Sequence, residues 1–203
     1  MDKFLSLPKE KQNKIIDAAL TAFGTNGYKK ASASDIARAA GISKAMVFHY
    51  FGSKKTLYLY LIEFCGATLE AEFNEKLGAV NDFFDRLKMI SGVKISLMKK
   101  HPAILSFLTS IYFERDKDVQ GDIEAILAKG GSLRNKVAFD GIDTSKFKDN
   151  IDITLVMKMI YWIGEGYAAQ SAHQPDIDYD VLAQDMNACF ELLKNSLYKE
   201  EFV

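Results

Sequence analysis

The chain has 203 residues, of which 48% are hydrophobic and 26% charged, and it contains only three prolines. This composition excludes a disordered protein and, because so few prolines interrupt the chain, favours an all-α one. The formal net charge of −1 hides an asymmetry, since residues 1–60 carry ten Lys/Arg against four Asp/Glu, a net +6, while the remainder carries 16 against 23, a net −7. Unless surface charge is merely uneven, only the N-terminal part is suited to phosphate.

The first predicted element is a long helix that follows a short arm. Residues 1–8 are expected to form the arm, which ends at Pro8, a residue suited to the first turn of a helix. The helix runs to about Thr25, Gly27 ends it, and Tyr28 is expected to fold back onto the domain. Its inward residues recur at steps of three and four. They are Ile15, Ile16, Ala19, Leu20 and Phe23.

The stretch from Ser32 to Phe51 predicts two short helices joined by a tight turn. Ser32 is a suitable N-cap and Asp35 stands three places on, as in a capping box. A helix over 33–40 should end at Gly41, where the chain needs a positive φ, and Ser43 can cap the next helix. A Gly-containing turn of this length sets two helices at a steep angle, so the stretch reads as a helix-turn-helix.

The second of these helices has two different faces. At 100° per residue we expect Val47, Phe48 and Phe51 to face the core. The other face carries small, polar and aromatic side chains that suit a DNA major groove. It consists of Ala45, Met46, His49 and Tyr50.

The next predicted helix begins with two lysines. Ser53 can cap it, which puts Lys54 and Lys55 in its first turn, the unfavourable end of the helix dipole for a cation. A phosphate bound at this helix start by backbone N–H groups and Lys54 would explain the misfit. The alternative is two surface lysines that have no partner.

The rest of the chain predicts further helices. Apolar periodicity indicates helices over about 57–77, 83–101 and 102–115, over 151–172 and over 179–198. Residues 116–146 are expected to form a kinked or broken helix and a polar loop around Gly130 and Gly131. The last two helices have more apolar surface than one small core requires, which predicts a partner for them unless the monomer satisfies both faces.

The run DIARAAGISKAMVFHYFGSKKTLY, preceded by FGTNGY, resembles the DNA-binding signature of the TetR family of bacterial repressors. The resemblance covers about residues 10–60. It implies an all-α fold of about nine helices, with a helix-turn-helix domain over 1–53 and a ligand-binding and dimerisation domain over 54–203. It also implies a homodimer in which the helices at about 151–172 and 179–198 pair with their copies in a four-helix bundle.

The expected DNA contacts combine the outward face with the caps and the helix start. Met46 and Phe48 stand where the family often has hydroxyl residues, so the operator sequence cannot be copied from relatives. The predicted DNA-binding residues are Ser32, Ser34, Ser43, Lys44, Ala45, Met46, His49, Tyr50 and Lys54.

Aromatic and methionine side chains are frequent in the C-terminal part, and the resemblance suggests that they hold an inducer. Each could equally be plain core. The predicted pocket residues are Met89, Met98, Phe107, Tyr112, Phe113, Tyr161, Trp162, Glu165 and Tyr167.

Several other kinds of chemistry lack a signal in the sequence. No His/Cys spacing predicts a metal site, and no phosphate loop or nucleophile motif predicts catalysis or a cofactor. No signal peptide and no apolar run of about 20 residues occurs, so we expect a cytoplasmic protein that does not enter a membrane. Cys65 and Cys189 are expected to be free thiols.

The sequence therefore predicts a homodimeric repressor, released from a palindromic double-stranded DNA operator by a small apolar or amphipathic effector. Two other readings stay open. The chain could be an all-helical small-molecule-binding protein or enzyme in which the helix-turn-helix is structural, or a DNA-binding regulator controlled by a protein partner without a pocket.

Overall fold

The protein is described from a computed structural model that covers residues 1–76, 80–128, 141–172 and 177–203, with the side chains of 168–172 left out. Most of these residues are helical and the described ranges contain no strand, which confirms the all-α prediction. The helices are α1 (Asp2–Leu5), α2 (Lys9–Lys30), α3 (Ala33–Ala39), α4 (Lys44–Phe51), α5 (Lys54–Lys76), α6 (Phe83–Lys100), α7 (Ile104–Phe113), α8 (120–128), α9 (Ile153–Ala172) and α10 (Tyr179–Leu197).

The described residues divide into two compact units. The first contains residues 1–71 and 97–128, and the second contains 72–76, 80–96, 141–172 and 177–203. The helix-turn-helix thus shares a unit with most of α5 and with α7. The predicted functional boundary between residues 53 and 54 stays a prediction, because it separates roles and not compact bodies.

The core of the first unit is an aromatic cluster between α2, α5 and α7. The ring of Phe23 lies 4.9 Å from that of Tyr58, which lies 5.5 Å from Phe107. All three side chains are fully buried. Gly24 lets the helices approach this closely, since a Cβ there would lie 3.0 Å from the backbone nitrogen of Phe107. The predicted inward face of α2 is confirmed.

The N-terminus is not the arm that the sequence predicted. Residues Asp2–Leu5 form a helical turn, and Phe4 is fully buried. Its ring lies 4.7 Å from that of Phe51 and 5.5 Å from that of Tyr60. A four-residue helix has too little periodicity to be recognised in a sequence, and the aromatic pocket that receives Phe4 holds it in place.

Helix α7 buries only one of its faces. Ile104, Phe107 and Ile111 are buried, but the exposed fractions of Tyr112 and Phe113 are 44% and 74%. The buried residues recur at three- and four-residue steps, so one face packs and the other does not. In the segment predicted to be kinked, residues 120–128 are helical, and Gly130 and Gly131 lie outside the described residues.

The second unit has its own core, in which residues 141–149 and the C-terminus close over α6. Phe84 and Phe147 pack against Tyr198, with ring centroids 5.2 and 4.9 Å from it. Asp82 joins the same elements, because its carboxylate accepts hydrogen bonds from the Lys146 ammonium at 2.8 Å and from the Tyr198 hydroxyl at 3.3 Å.

Asp82 gives the second unit a stability that depends on pH. Burial alone would raise its pKa, but the hydrogen bonds from Lys146 and from the backbone N–H of Asp85 outweigh burial and lower the pKa below the ordinary 3.8. A carboxyl with a depressed pKa stabilises the fold above its ordinary pKa, and this contribution is lost as the pH falls through the depressed value.

Asp82→Asn should therefore lower the free energy of unfolding by about 1–3 kcal/mol at pH 7, since it weakens hydrogen bonds to a charged group. The difference from the wild type should shrink as the pH falls below 3.8 and through the depressed pKa, below which the wild-type carboxyl is also neutral. Urea unfolding at pH 7 and below pH 3.8 measures this difference in the free energy of unfolding. Asp149→Asn is the control, because Asp149 pairs with Lys199 at 95% side-chain exposure and should matter by under about 1 kcal/mol. A difference of equal size at both pH values would contradict the assignment.

Among the described residues, no helix is both long and apolar enough to cross a membrane. Cys65 and Cys189 are free, as predicted, and burial raises the pKa of the Cys65 thiol to about 12. No group of His, Cys, Asp and Glu within the same described ranges could hold a metal ion.

Candidate nucleic-acid interface

The predicted helix-turn-helix is present, and its own side chains form it. The Ser32 hydroxyl accepts the backbone N–H of Ser34 at 3.1 Å and caps α3. Gly41 adopts φ +67°, and the N–H of Ile42 reaches back to the carbonyl of Ala37 at 2.9 Å. Ser43 then caps α4 by accepting the N–H of Met46 at 3.3 Å. The first cap satisfies a helix N–H group that has no backbone partner, and the second shares the N–H of Met46 with the Ser43 carbonyl at 3.0 Å.

One detail of the first cap differs from the prediction. The Asp35 carboxylate forms an ion pair with Arg38 on the next turn of α3, where a capping box would have it return to Ser32. Lys14 likewise pairs with Glu10. Two of the ten cations in residues 1–60 are thus neutralised by neighbours on their own helices, although both pairs are exposed and weak.

The buried face of α4 is rotated from the predicted one. Val47, Tyr50 and Phe51 are buried, whereas the exposed fraction of Phe48 is 38%. The predictions that Tyr50 faces outward and that Phe48 faces the core were both wrong. Residues three and four places after Val47 share its side of the helix, and Phe48 lies 100° away from it. Tyr50 also meets a partner that the sequence did not reveal, the ring of Phe4 at 6.2 Å.

The outward face of α4 is consequently a mixed surface of one cation, one small residue, one aromatic ring and one imidazole. Met46 is half-buried at its edge, and Ser34 on α3 is exposed. Sequence reasoning missed Phe48, although three- and four-residue steps from Val47 would have placed it outside. The residues of this face, named here the reading face, are Lys44, Ala45, Phe48 and His49.

Lys54 has partners that remove the predicted misfit. Its ammonium donates to the backbone carbonyls of Tyr28, Lys29 and Ala31, at 2.9, 3.3 and 3.4 Å. It also lies 4.5 Å from the ring centroid of Tyr28. The cation that is unfavourable at the start of α5 is favourable at the end of α2, where carbonyl groups are free. Its position therefore needs no phosphate, and its phosphate role stays a prediction.

The nine predicted pocket residues are divided between the two units. Met98, Phe107, Tyr112 and Phe113 belong to the first unit, and there Phe107 is core while Phe113 is surface. In the second unit the Tyr167 hydroxyl lies 3.8 Å from the Cys189 sulfur, and Met89 and Glu165 are half-buried. Tyr161 and Trp162 are 58% and 67% exposed. The last two lie on an outer face of α9 and not in a cavity of their unit.

Comparisons with known proteins agree with the geometry of the N-terminal unit. A family model described as "Bacterial regulatory proteins, tetR family" matches residues 15–61. The fatty acid metabolism regulator protein of Bacillus subtilis is 25% identical over 95% of this chain and 98% of its own length. The HTH-type transcriptional regulator BetI of Agrobacterium fabrum is 50% identical over 24% of this chain and 23% of its own.

Solved structures resemble the whole chain in fold. The ketosteroid transcriptional regulator KstR2 of Mycobacterium tuberculosis superposes with a TM-score of 0.69 at 17% identity, over 96% of this chain and 98% of its own. The fatty acid degradation regulator FadR of Bacillus halodurans superposes with a TM-score of 0.58 at 21% identity, over 87% and 96%. At these identities the likeness concerns the fold alone.

Proposed function

The chain belongs to the TetR family of bacterial regulatory proteins, and from that premise we propose that it is a homodimeric repressor released from a palindromic operator by a small effector. It is a DNA-binding transcriptional regulator and not an enzyme. The repressor would bind its operator DNA in the cytoplasm. The proposal rests on one observation. The reading face is exposed on α4, a helix that Ser43 caps and that Val47, Tyr50 and Phe51 pack into the core.

The reading face has the chemistry of a major-groove contact. Lys44 offers a cation near the start of α4, and His49 offers ring nitrogens that can donate to or accept from base edges. Phe48 and Ala45 can contact thymine methyl groups. In this proposal Phe48 joins the predicted contacts Ser34 and Met46, and the buried Tyr50 supports α4 from behind.

Phosphate contacts would fix the position of α4 on the duplex. Ser32 and Ser43 lie at the starts of α3 and α4, where backbone N–H groups and hydroxyls can meet the DNA backbone. Lys54 would add an ammonium that its carbonyl bonds hold in place. These contacts give affinity that depends on salt, and the reading face gives the sequence preference.

Dimerisation would use α9 and α10. Leu155, Met159 and Trp162 recur at steps of four and three, the spacing of one helical face, and each is about half exposed or more. Val181 and Leu192 on α10 are also exposed apolar residues. Monomers rarely leave such a stripe in water. A second copy of the chain fits it best, because a palindromic site needs two reading faces.

We place the effector among apolar or amphipathic molecules. A relative that matches nearly the whole chain is named as a regulator of fatty acid metabolism, and the second unit has several half-buried methionine side chains together with Cys189 and Tyr167. Met89, Glu165 and Tyr167 are the predicted contacts that stay candidates. Such an effector releases the operator only if it binds the released state more tightly than the bound one.

Selection of bound duplexes from a random pool tests the proposed function, and Ala45→Glu provides the matching variant. The wild type should enrich a sequence with two half-sites related by a two-fold axis. Ala45→Glu puts a carboxylate on the reading face and should weaken operator binding by about 10-fold or more, since like charges repel the phosphates.

Ala71→Glu is the control, because it adds the same charge at an exposed position of α5 and should bind like the wild type. If the wild type enriches no sequence above background, the repressor proposal fails. If the operator is found and no apolar ligand releases it, control by a protein partner replaces the effector.

A further inference from the structure

Tyr28, in the last turn of α2 just after the break in helical geometry at Gly27, is held from two sides. On one side the Lys54 ammonium binds its carbonyl oxygen and lies over its ring. On the other side its backbone N–H donates to Glu114 Oε2 at 2.7 Å, and its hydroxyl donates to Asp118. Every polar group of this one residue is therefore occupied, and the acids come from the segment between α7 and α8.

The fit between Glu114 and the turn depends on Gly27. That residue has φ +68°, a conformation that L side chains rarely adopt. A Cβ there would also lie 3.2 Å from Glu114 Oε2. The other carboxylate oxygen of Glu114 accepts the N–H groups of Arg115 and Asp116, both at 2.9 Å. The same side chain thus shapes its own segment and binds the turn.

The contact extends to the start of α5. Lys55 lies 2.8 Å from a carboxylate oxygen of Asp122 and 3.9 Å from one of Asp118. Burial first, and then the Asp118 carboxylate, raise the pKa of the Tyr28 hydroxyl, so it remains a donor. Residues 114–122, named here the acidic segment, thereby hold both ends of the helix-turn-helix within the first unit.

We propose that Glu114 and Asp118 are positioning residues for DNA binding, which act through Tyr28 on the turn before α3 and on Lys54. The proposal rests on the proposed function and deepens it. It identifies the contact through which a structural change after α7 would reach the reading face. Release of the acidic segment would free Tyr28, and the carbonyl groups that hold Lys54 would move with it.

Tyr28→Phe and Asp118→Asn test the proposal, singly and together, in the full chain. Tyr28→Phe removes the hydrogen bond, whereas Asp118→Asn leaves it with a neutral acceptor, and both keep the size of the side chain. Operator affinity, measured well below the melting temperature, should fall by about 10-fold for Tyr28→Phe, as expected for a hydrogen bond to a charged group, and by a smaller factor for Asp118→Asn. The double variant should bind no worse than Tyr28→Phe alone, because the two residues form one contact.

Tyr198→Phe is the matched control. It removes another tyrosine–aspartate hydrogen bond, to Asp82 in the second unit, and should lower stability without changing operator affinity. The inference is overturned if Tyr28→Phe and Asp118→Asn bind like the wild type, or if their losses simply add.

Amide hydrogen exchange separates this inference from the proposed function. If the wild type binds no duplex, the proposed function fails. The amide exchange rates of residues 28–34 then test whether the acidic segment positions the helix-turn-helix. Exchange there that is faster in Tyr28→Phe than in Tyr198→Phe supports the positioning role. Equal exchange overturns it.

Discussion

Trp162→Glu is expected to convert the dimer into monomers and to lower operator affinity by about 100-fold or more. The indole is 67% exposed on α9, in line with Leu155 and Met159. In a symmetric dimer each substitution occurs twice, so two anchoring rings are lost and two carboxylates enter an apolar contact. A monomer carries one reading face and loses the gain of binding both half-sites together.

Sedimentation and operator binding at matched concentrations measure the two effects. Phe202→Glu is the control, since Phe202 is an exposed aromatic residue of the second unit outside α9 and α10. Leu155→Glu keeps the tryptophan, and the emission of Trp162 should move to longer wavelength as the dimer separates. A Trp162→Glu protein that remains a dimer with full affinity would rule out this face as the interface.

The helix-turn-helix was predictable because its determinants are local. The caps at Ser32 and Ser43 and the positive φ at Gly41 depend on residues within a few positions, and they form as expected. The buried face of α2 was equally readable, since a long helix repeats its pattern several times. Helix α4 is only about two turns long, and its rotation was mispredicted although steps of three and four from Val47 give it.

The contacts that could not be predicted from the sequence join residues far apart in the chain. The place of Tyr50 is set by Phe4, 46 positions earlier, and the partners of Lys54 are carbonyl groups at the end of α2. The acidic segment reaches Tyr28 across 86 to 90 positions. No local sequence pattern predicts such contacts, so Lys54 was interpreted as a phosphate ligand and residues 1–8 as an arm.

The pocket residues were harder to predict for a different reason, and Met89, Glu165 and Tyr167 stay a prediction. Aromatic and methionine content marks apolar surface, but it does not distinguish a core, a cavity wall and an interface. The structure separates buried from exposed residues, with Phe107 in the core and Trp162 on an outer face. Periodicity within α9 would have grouped Trp162 with Leu155 and Met159, the face that we propose as the dimer interface.

Phe4→Ala is expected to lower the free energy of unfolding by about 3–5 kcal/mol, a large part of the roughly 5–15 kcal/mol typical of a domain. The ring is fully buried against Tyr50, Phe51 and Tyr60, so its removal leaves a cavity behind α4. Because these aromatic residues fix the rotation of α4, operator affinity should fall as well. Denaturant unfolding and operator binding in the folded range measure the two effects separately.

Two neighbouring variants distinguish a packed helix from a loose arm. Leu5 is 52% exposed, and Leu5→Ala should change stability by no more than about 0.5 kcal/mol. Phe4→Leu keeps much of the apolar volume and should lose less than half as much as Phe4→Ala. A loose arm would make all three substitutions equally harmless. A helix packed behind the reading face requires the loss of stability to be largest for Phe4→Ala, smaller for Phe4→Leu and smallest for Leu5→Ala.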